Sequence, residues 1–111
     1  MCGIAGRLNW NAPIDPAQLA AMIAQLQHRG PDEQGLHTQG PIGLAHARLS
    51  IIDLSSGTQP MTNEDGTVWV TFNGEIFNYL ELRADLLRRG HRFSTQSDTE
   101  VLVHLYEEHG D

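Results

Sequence analysis

Met1-Cys2-Gly3-Ile4-Ala5-Gly6-Arg7-Leu8 opens the chain and alternates along its length. Apolar or small side chains recur at Cys2, Ile4, Gly6 and Leu8, the period of a half-buried strand. Cys2 is therefore predicted at the start of that strand, on its inward face. Removal of Met1 would leave one residue bearing both a thiol and a free α-amine. The two groups titrate at roughly 8.5 and 7.7–8.0, so such a residue carries its own base. The competing reading is a small buried hydrophobe, the ordinary state of a free cysteine.

Asp15-Pro16 supply an N-cap and first helical residue for a helix whose apolar positions are Leu19, Met22, Ile23 and Leu26, stopped by Gly30-Pro31. Ile42 to Ile52 reads as extended and buried, ending in the turn residues Ser55, Ser56 and Gly57. Asp65-Gly66 fits a hairpin turn between Pro60-Met61-Thr62 and a strand from Thr67 to Phe72. A second helix runs from Tyr79 to about Arg89, with Asn78 and Glu81 in capping-box positions and Gly90 as its stop. A short strand is expected at Arg92 to Ser94. Ser97 and Glu100 form a second capping box for a third helix, through Val101, Leu102, Leu105 and Tyr106 to Gly110. Strands and helices come in blocks, which favours an α+β layered architecture over a doubly wound parallel sheet.

At 111 residues the chain suits one domain. Seven basic against fourteen acidic residues give a net charge of −7, which repels nucleic-acid phosphates and anionic lipid. No apolar run approaches the roughly 20 residues of a membrane span. All seven basic residues are Arg, so Schiff-base, phosphate-loop and Ser-Lys lysine chemistry is excluded. One Cys without an apolar leader before it points to a reducing, cytoplasmic compartment. The six His match no H-E-x-x-H, H-x-x-E-H or Cys-His finger spacing, so no metal is expected.

Polar clusters interrupt core-like segments at His28 to Asp32, Ala45 to Ser50, Asn73-Gly74-Glu75 and Ser97 to Glu100. Each has a structural reading. Arg29 and Asp32 could staple a helix end to a turn, Arg48 could sit in a buried ion pair, Asn73-Gly74 could be a simple turn, and Asp98 could complement a helix dipole. They also fit one chemistry. A thiol attacking a carboxamide needs donors for the developing oxyanion, which the Asn73 side chain and the Gly74 N–H can provide. A free amino acid needs an arginine for its carboxylate and acids for its ammonium, the parts open to Arg48, Glu75 and Asp98.

The ordered blocks Met1-Cys2-Gly3-Ile4, His28-Arg29-Gly30-Pro31-Asp32, Ala45-His46 with Arg48 to Asp53, Gln59-Pro60, Asn73-Gly74-Glu75-Ile76 with Asn78-Tyr79, and Ser97 to Val101 resemble the glutaminase domain of class II (N-terminal-nucleophile) glutamine amidotransferases. Among these they are most similar to glutamine-hydrolysing asparagine synthetases. The resemblance implies an Ntn-hydrolase-type αββα sandwich in which Cys2 attacks the side-chain amide of L-glutamine. It gives Asn73 and Gly74 to the oxyanion hole, Arg48 to the glutamine carboxylate, Glu75 and Asp98 to its amino group, and Ile51 and Ile52 to the pocket lining. The glutaminase step needs no cofactor. ATP and Mg belong to a C-terminal synthetase domain that receives the ammonia and amidates aspartate. That domain's pyrophosphate-binding signature is absent from these residues, so the chain is expected to be the N-terminal part of a glutaminase domain, with a homodimer built through regions outside it. The alternatives are an acceptor other than aspartate, or a non-catalytic module that binds glutamine or a partner chain.

Overall fold

The computed structural model describes residues 1–50 and 57–111. Its central element is a three-stranded antiparallel sheet in the order β1 (Gly3–Leu8), β3 (Ile42–Arg48), β2 (Glu33–Gln39). β2 and β3 form a hairpin through Gly40, whose φ of 55° is the left-handed conformation that a tight turn demands. Gly3 pairs with Ala47, and Glu33 with Arg48. No strand is foreseen in residues 33–39, because Glu-Gln-Gly-Leu-His-Thr-Gln has no apolar alternation.

One face of this sheet is paved with Gly3, Ala5, Gly43, Ala45 and Ala47, and α1 (Pro16–Ala24) lies on it. Small residues let the helix approach closely; a Cβ on Gly43 would come within 2.9 Å of Leu19 Cδ2. Ile14, Leu19 and Ile23 fill the space, with Leu26 at the margin. Asp15 caps α1 as expected, its carboxylate accepting the Ala17 N–H at 2.9 Å.

The period-2 reading of β1 inverts the faces. Gly3 and Ala5 meet α1, while Ile4 and Leu8 stay 46% and 54% exposed on the opposite face, the side to which Cys2 belongs by alternation. That opposite face meets a small sheet of β4 (Met61–Thr62) and β5 (Trp69–Val70). The His37 ring stacks on Trp69 at 3.5 Å, His46 Nε2 lies 3.2 Å from the Phe72 carbonyl, and the Thr71 hydroxyl donates to the Ala45 carbonyl at 3.2 Å. Gly35 is where the layers press hardest, since a Cβ there would come within 1.8 Å of the Gln59 carbonyl oxygen.

Beyond β4 and β5 lies α3 (Glu100–His109), and α2 (Tyr79–Arg88) packs on α3. The architecture is thus mixed, with helices on the two sheets rather than between parallel strands. α2 ends as its sequence predicts. Gly90, at φ 98°, follows the last turn, Gly90 N–H donates to Leu87 O, and His91 N–H to Leu86 O, the paired bonds of a Schellman stop.

Three local expectations are corrected. Asn78 makes no side-chain capping bond. Arg92 to Ser94 is not a strand. Glu100 does not return to Ser97; its carboxylate accepts the backbone N–H groups of Ser94 and Thr95, each at 2.8 Å. Burial opposes ionisation of Glu100, but hydrogen bonds from Thr95 and Ser94 outweigh it and hold its pKa below the ordinary value. This buried carboxylate organises 92–95 in place of a strand. It also shifts the buried face of α3 to Glu100, Val101, Val103 and His104, leaving Tyr106 exposed. Among the described residues, no helix is long and apolar enough to cross a membrane.

Gly35→Ala should lower stability by about 3 kcal/mol or more, because two backbones would have to separate. Gly66→Ala, at φ 74° in open space, should cost only about 1–2 kcal/mol from left-handed strain. Urea-unfolding midpoints of the two variants test this ordering; equal losses would show that the layers are not in close contact at Gly35.

Candidate active site

Cys2 lies immediately before β1 and is half-buried. Its carbonyl oxygen accepts two side-chain donors from distant parts of the sequence, Arg29 Nε at 3.1 Å and Asn73 Nδ2 at 3.0 Å. The sulfur is positioned separately, with the Leu49 N–H directed at Sγ from 3.3 Å and the Leu49 carbonyl 3.9 Å away. Backbone and thiol are therefore located by four groups from the turn after α1, the exit of β3 and the exit of β5.

A cavity of about 950 Å³ opens beside the sulfur, and Arg48, Asn73, Gly74, Glu75 and Asp98 all line it. The topology explains this convergence. Arg48 ends β3 next to the Cys2 end of β1, the segment after β5 runs alongside, and Asp98 leads into α3. One Asp98 oxygen accepts the Ile76 N–H at 2.8 Å, which ties the Asn73–Glu75 turn to the start of α3. Gly74 is fixed by packing, since a Cβ there would meet the Phe72 ring at 2.6 Å. Glu75 is exposed at the cavity rim. Ile51 and Ile52 lie outside the described residues.

Arg48, with a side chain only 13% exposed, donates from Nη1 to Glu33 Oε2 at 3.2 Å. Glu33 also accepts the Thr58 hydroxyl at 3.2 Å. The ion pair offered as the structural reading of Arg48 thus exists, within a side chain that also lines the cavity. Arg29 and Asp32 do not pair as a helix staple. Arg29 goes to Cys2, and Asp32 Oδ2 accepts the Ser50 N–H at 2.8 Å.

Glu33 and the positioning role of Arg29 escape sequence reasoning. Recognition of the Gly40-Pro41 hairpin would have found Glu33, because that turn sets residue 33 opposite residue 48. No local signal distinguishes Arg29. Gln59 also escapes as a connector: its Oε1 accepts the Phe72 N–H at 2.7 Å, and its Nε2 lies 3.5 Å from the Thr99 hydroxyl.

His46 is 1% exposed beneath the cavity. Burial lowers its pKa and Arg48 adds to the effect, against the opposing influences of the Phe72 carbonyl and Glu33. A carbonyl only accepts, so Nε2 carries the proton of the neutral ring. With a folded pKa below the unfolded value of 6.5, the unfolded state takes up the proton first as pH falls. The stability contributed by neutral His46 is therefore complete above pH 6.5 and declines as pH drops from there toward the folded pKa. Thermal-denaturation midpoints should fall over that window, and His46→Gln should flatten the slope. An unchanged slope in the variant would assign the acid sensitivity to other groups.

All of residues 1–111 match the family model described as a glutamine amidotransferase domain. Asparagine synthetase [glutamine-hydrolyzing] 2 of Bacillus subtilis is 48% identical over 114 residues, covering 99% of this chain and 15% of the relative. Asparagine synthetase [glutamine-hydrolyzing] 2 of Arabidopsis thaliana and the corresponding enzyme of Sandersonia aurantiaca are each 50% identical over 113 residues, covering the whole chain and 19% and 21% of those proteins. The chain thus spans about a fifth or less of the length of the relatives it matches.

Proposed function

Because the chain belongs to the glutamine amidotransferase domain family, we propose that its cavity binds L-glutamine and that Cys2 hydrolyses the side-chain amide. The observation that carries this reading is the gathering of Cys2, Arg48, Asn73, Gly74 and Asp98 around one cavity. With Met1 removed, the Cys2 α-amine takes the thiol proton as sulfur adds to the amide carbon. The tetrahedral oxyanion is met by Asn73 Nδ2, already on the Cys2 side of the cavity, and by the Gly74 N–H. The proton is delivered to the leaving nitrogen, ammonia departs, and a γ-glutamyl thioester remains. Water adds to the thioester, regenerating the thiol and releasing glutamate.

Arg48 holds the glutamine carboxylate, while Glu75 and Asp98 meet its ammonium. No cofactor enters this step. The helix and sheet layers support an Ntn-type αββα sandwich, of which residues 1–111 form a part. The names of the relatives support asparagine synthesis as the use of the ammonia, in a second domain that employs ATP and Mg to activate aspartate. A reducing cytoplasm suits a nucleophile that must remain a thiol.

In the full-length protein, Cys2→Ala should abolish glutamate release from glutamine while leaving glutamine binding by calorimetry nearly unchanged. Asn73→Ala should lower kcat roughly 100- to 1000-fold with little effect on binding. Arg48→Lys should instead weaken binding by on the order of 2 to 3 kcal/mol, because a point ammonium replaces a planar fork. Wild-type turnover in Cys2→Ala would rule out the nucleophile. A fixed N-terminal extension should inactivate the enzyme; full activity with Met1 retained would rule out the α-amine as base.

A further inference from the structure

Two imidazoles and two carboxylates, none of them lining the cavity, converge against α3. Glu64 comes from the β4–β5 turn, His91 follows the Schellman stop of α2, and His104 and Glu107 lie three residues apart on α3. One donor atom from each lies within 4.8 Å of all the others. His104 Nδ1 is 3.1 Å from Glu64 and 3.2 Å from Glu107, and His91 Nδ1 is 3.8 Å from each of the same two carboxylates. Bonds of about 2.0–2.1 Å from a tetrahedral zinc to N and O imply ligand-to-ligand separations of roughly 3.3–3.4 Å, and the four distances bracket that value.

Two further observations point to a ligand. The His91 side chain is only 9% exposed and its buried Nδ1 has no hydrogen-bond partner, so a costly orphan lone pair is directed into the cluster. The Nε2 atoms of both rings face outward to carboxylates, His91 to Glu108 at 2.7 Å and His104 to Glu100 at 3.4 Å. A carboxylate only accepts, so Glu108 fixes the His91 proton on Nε2 and leaves the orphaned Nδ1 as a donor of electrons, the outer arrangement that metal-bound histidines favour. His104 has carboxylates at both nitrogens, with Glu64 and Glu107 on the Nδ1 side. The two inner carboxylates match the charge of a dication, and their side chains are 35% and 24% exposed, which leaves access from solvent.

We propose that Glu64, His91, His104 and Glu107 form a binding site for a divalent transition metal, best suited to zinc. Mixed nitrogen and oxygen ligands select this class over calcium and magnesium. The ion staples the β4–β5 turn and the end of α2 to α3, and so fixes the helix whose approach carries Asp98. The sequence pattern suggests no metal because the ligands come from three separate elements. Only His104-Leu105-Tyr106-Glu107 is local.

The test uses the full-length protein, made without a polyhistidine tag, stripped by chelator and titrated with zinc sulfate. One zinc per chain should bind and raise the denaturation midpoint, with a nitrogen and oxygen shell and no sulfur by X-ray absorption. His91→Gln should weaken binding at least about 100-fold, beyond the loss typical of an outer-shell partner. Glu64→Gln, in an exposed turn, should do likewise without threatening the fold. Cys2→Ser should bind zinc as the parent does, which separates this site from the thiol. Absence of binding, sulfur in the shell, loss of zinc in Cys2→Ser, or undiminished binding in both Glu64→Gln and His91→Gln would overturn the proposal. The last would leave the cluster as histidines held by acids alone.

Discussion

The carbonyl oxygen of Cys2 is the point on which the site turns. Arg29, in the turn after the first helix, and Asn73, beyond β5, both donate to it. Neither bond is large by itself; a typical intramolecular hydrogen bond contributes about 0.5–1.5 kcal/mol, and somewhat more from a charged donor. Their effect is geometric. A chain terminus is ordinarily the least ordered part of a domain, yet here it is anchored from two layers, while Leu49 sets the sulfur from a third direction. The thiol can lie at the lip of a cavity without relying on side-chain burial to hold it there.

The Glu33 contact gives Arg48 a second identity. An arginine at the edge of a cavity must be aligned before a ligand arrives, and a cross-strand carboxylate does that at low entropic cost because both residues sit on paired strands. A guanidinium presents five donors in a planar fork. A bond from one nitrogen orients the plane of the whole group. The structural and the ligand-binding readings of Arg48 are therefore complementary, since the pairing that secures the fold also aims the fork.

Local rules made the helices legible, and long-range pairing hid the rest. Asp15-Pro16 and Gly90 act through bonds within a few residues of themselves, so the start of α1 and the end of α2 followed from sequence, whereas α1 stops at Ala24, well before the expected Gly30-Pro31. The second strand did not, because its residues are polar and are held by register with β3 rather than by apolar alternation. The same limit explains the inverted face of β1. Alternation gives a period but no direction, and the small residues Gly3 and Ala5, not the larger Ile4 and Leu8, face the helix. Glu100 illustrates a third kind of failure, in which a residue suited to a capping box instead satisfies the backbone of the preceding loop. The candidate cavity residues were legible because their residue types are unusual for the segments that carry them; Arg29 and Glu33 were not, since a surface-type charge at a helix end or strand start raises no question until its partner is known.

The stack of His37 on Trp69 has a spectroscopic consequence. The chain has two indoles in opposite settings: Trp10 is 87% exposed, whereas Trp69 is pressed against an imidazole and its Nε1 donates to the Gly66 carbonyl at 3.0 Å. Intrinsic emission therefore divides into a solvent-facing component and one that belongs to the seam between the sheets. With Trp10 replaced by Phe, the remaining indole would report the separation of the two layers directly, an optical gauge located away from the thiol.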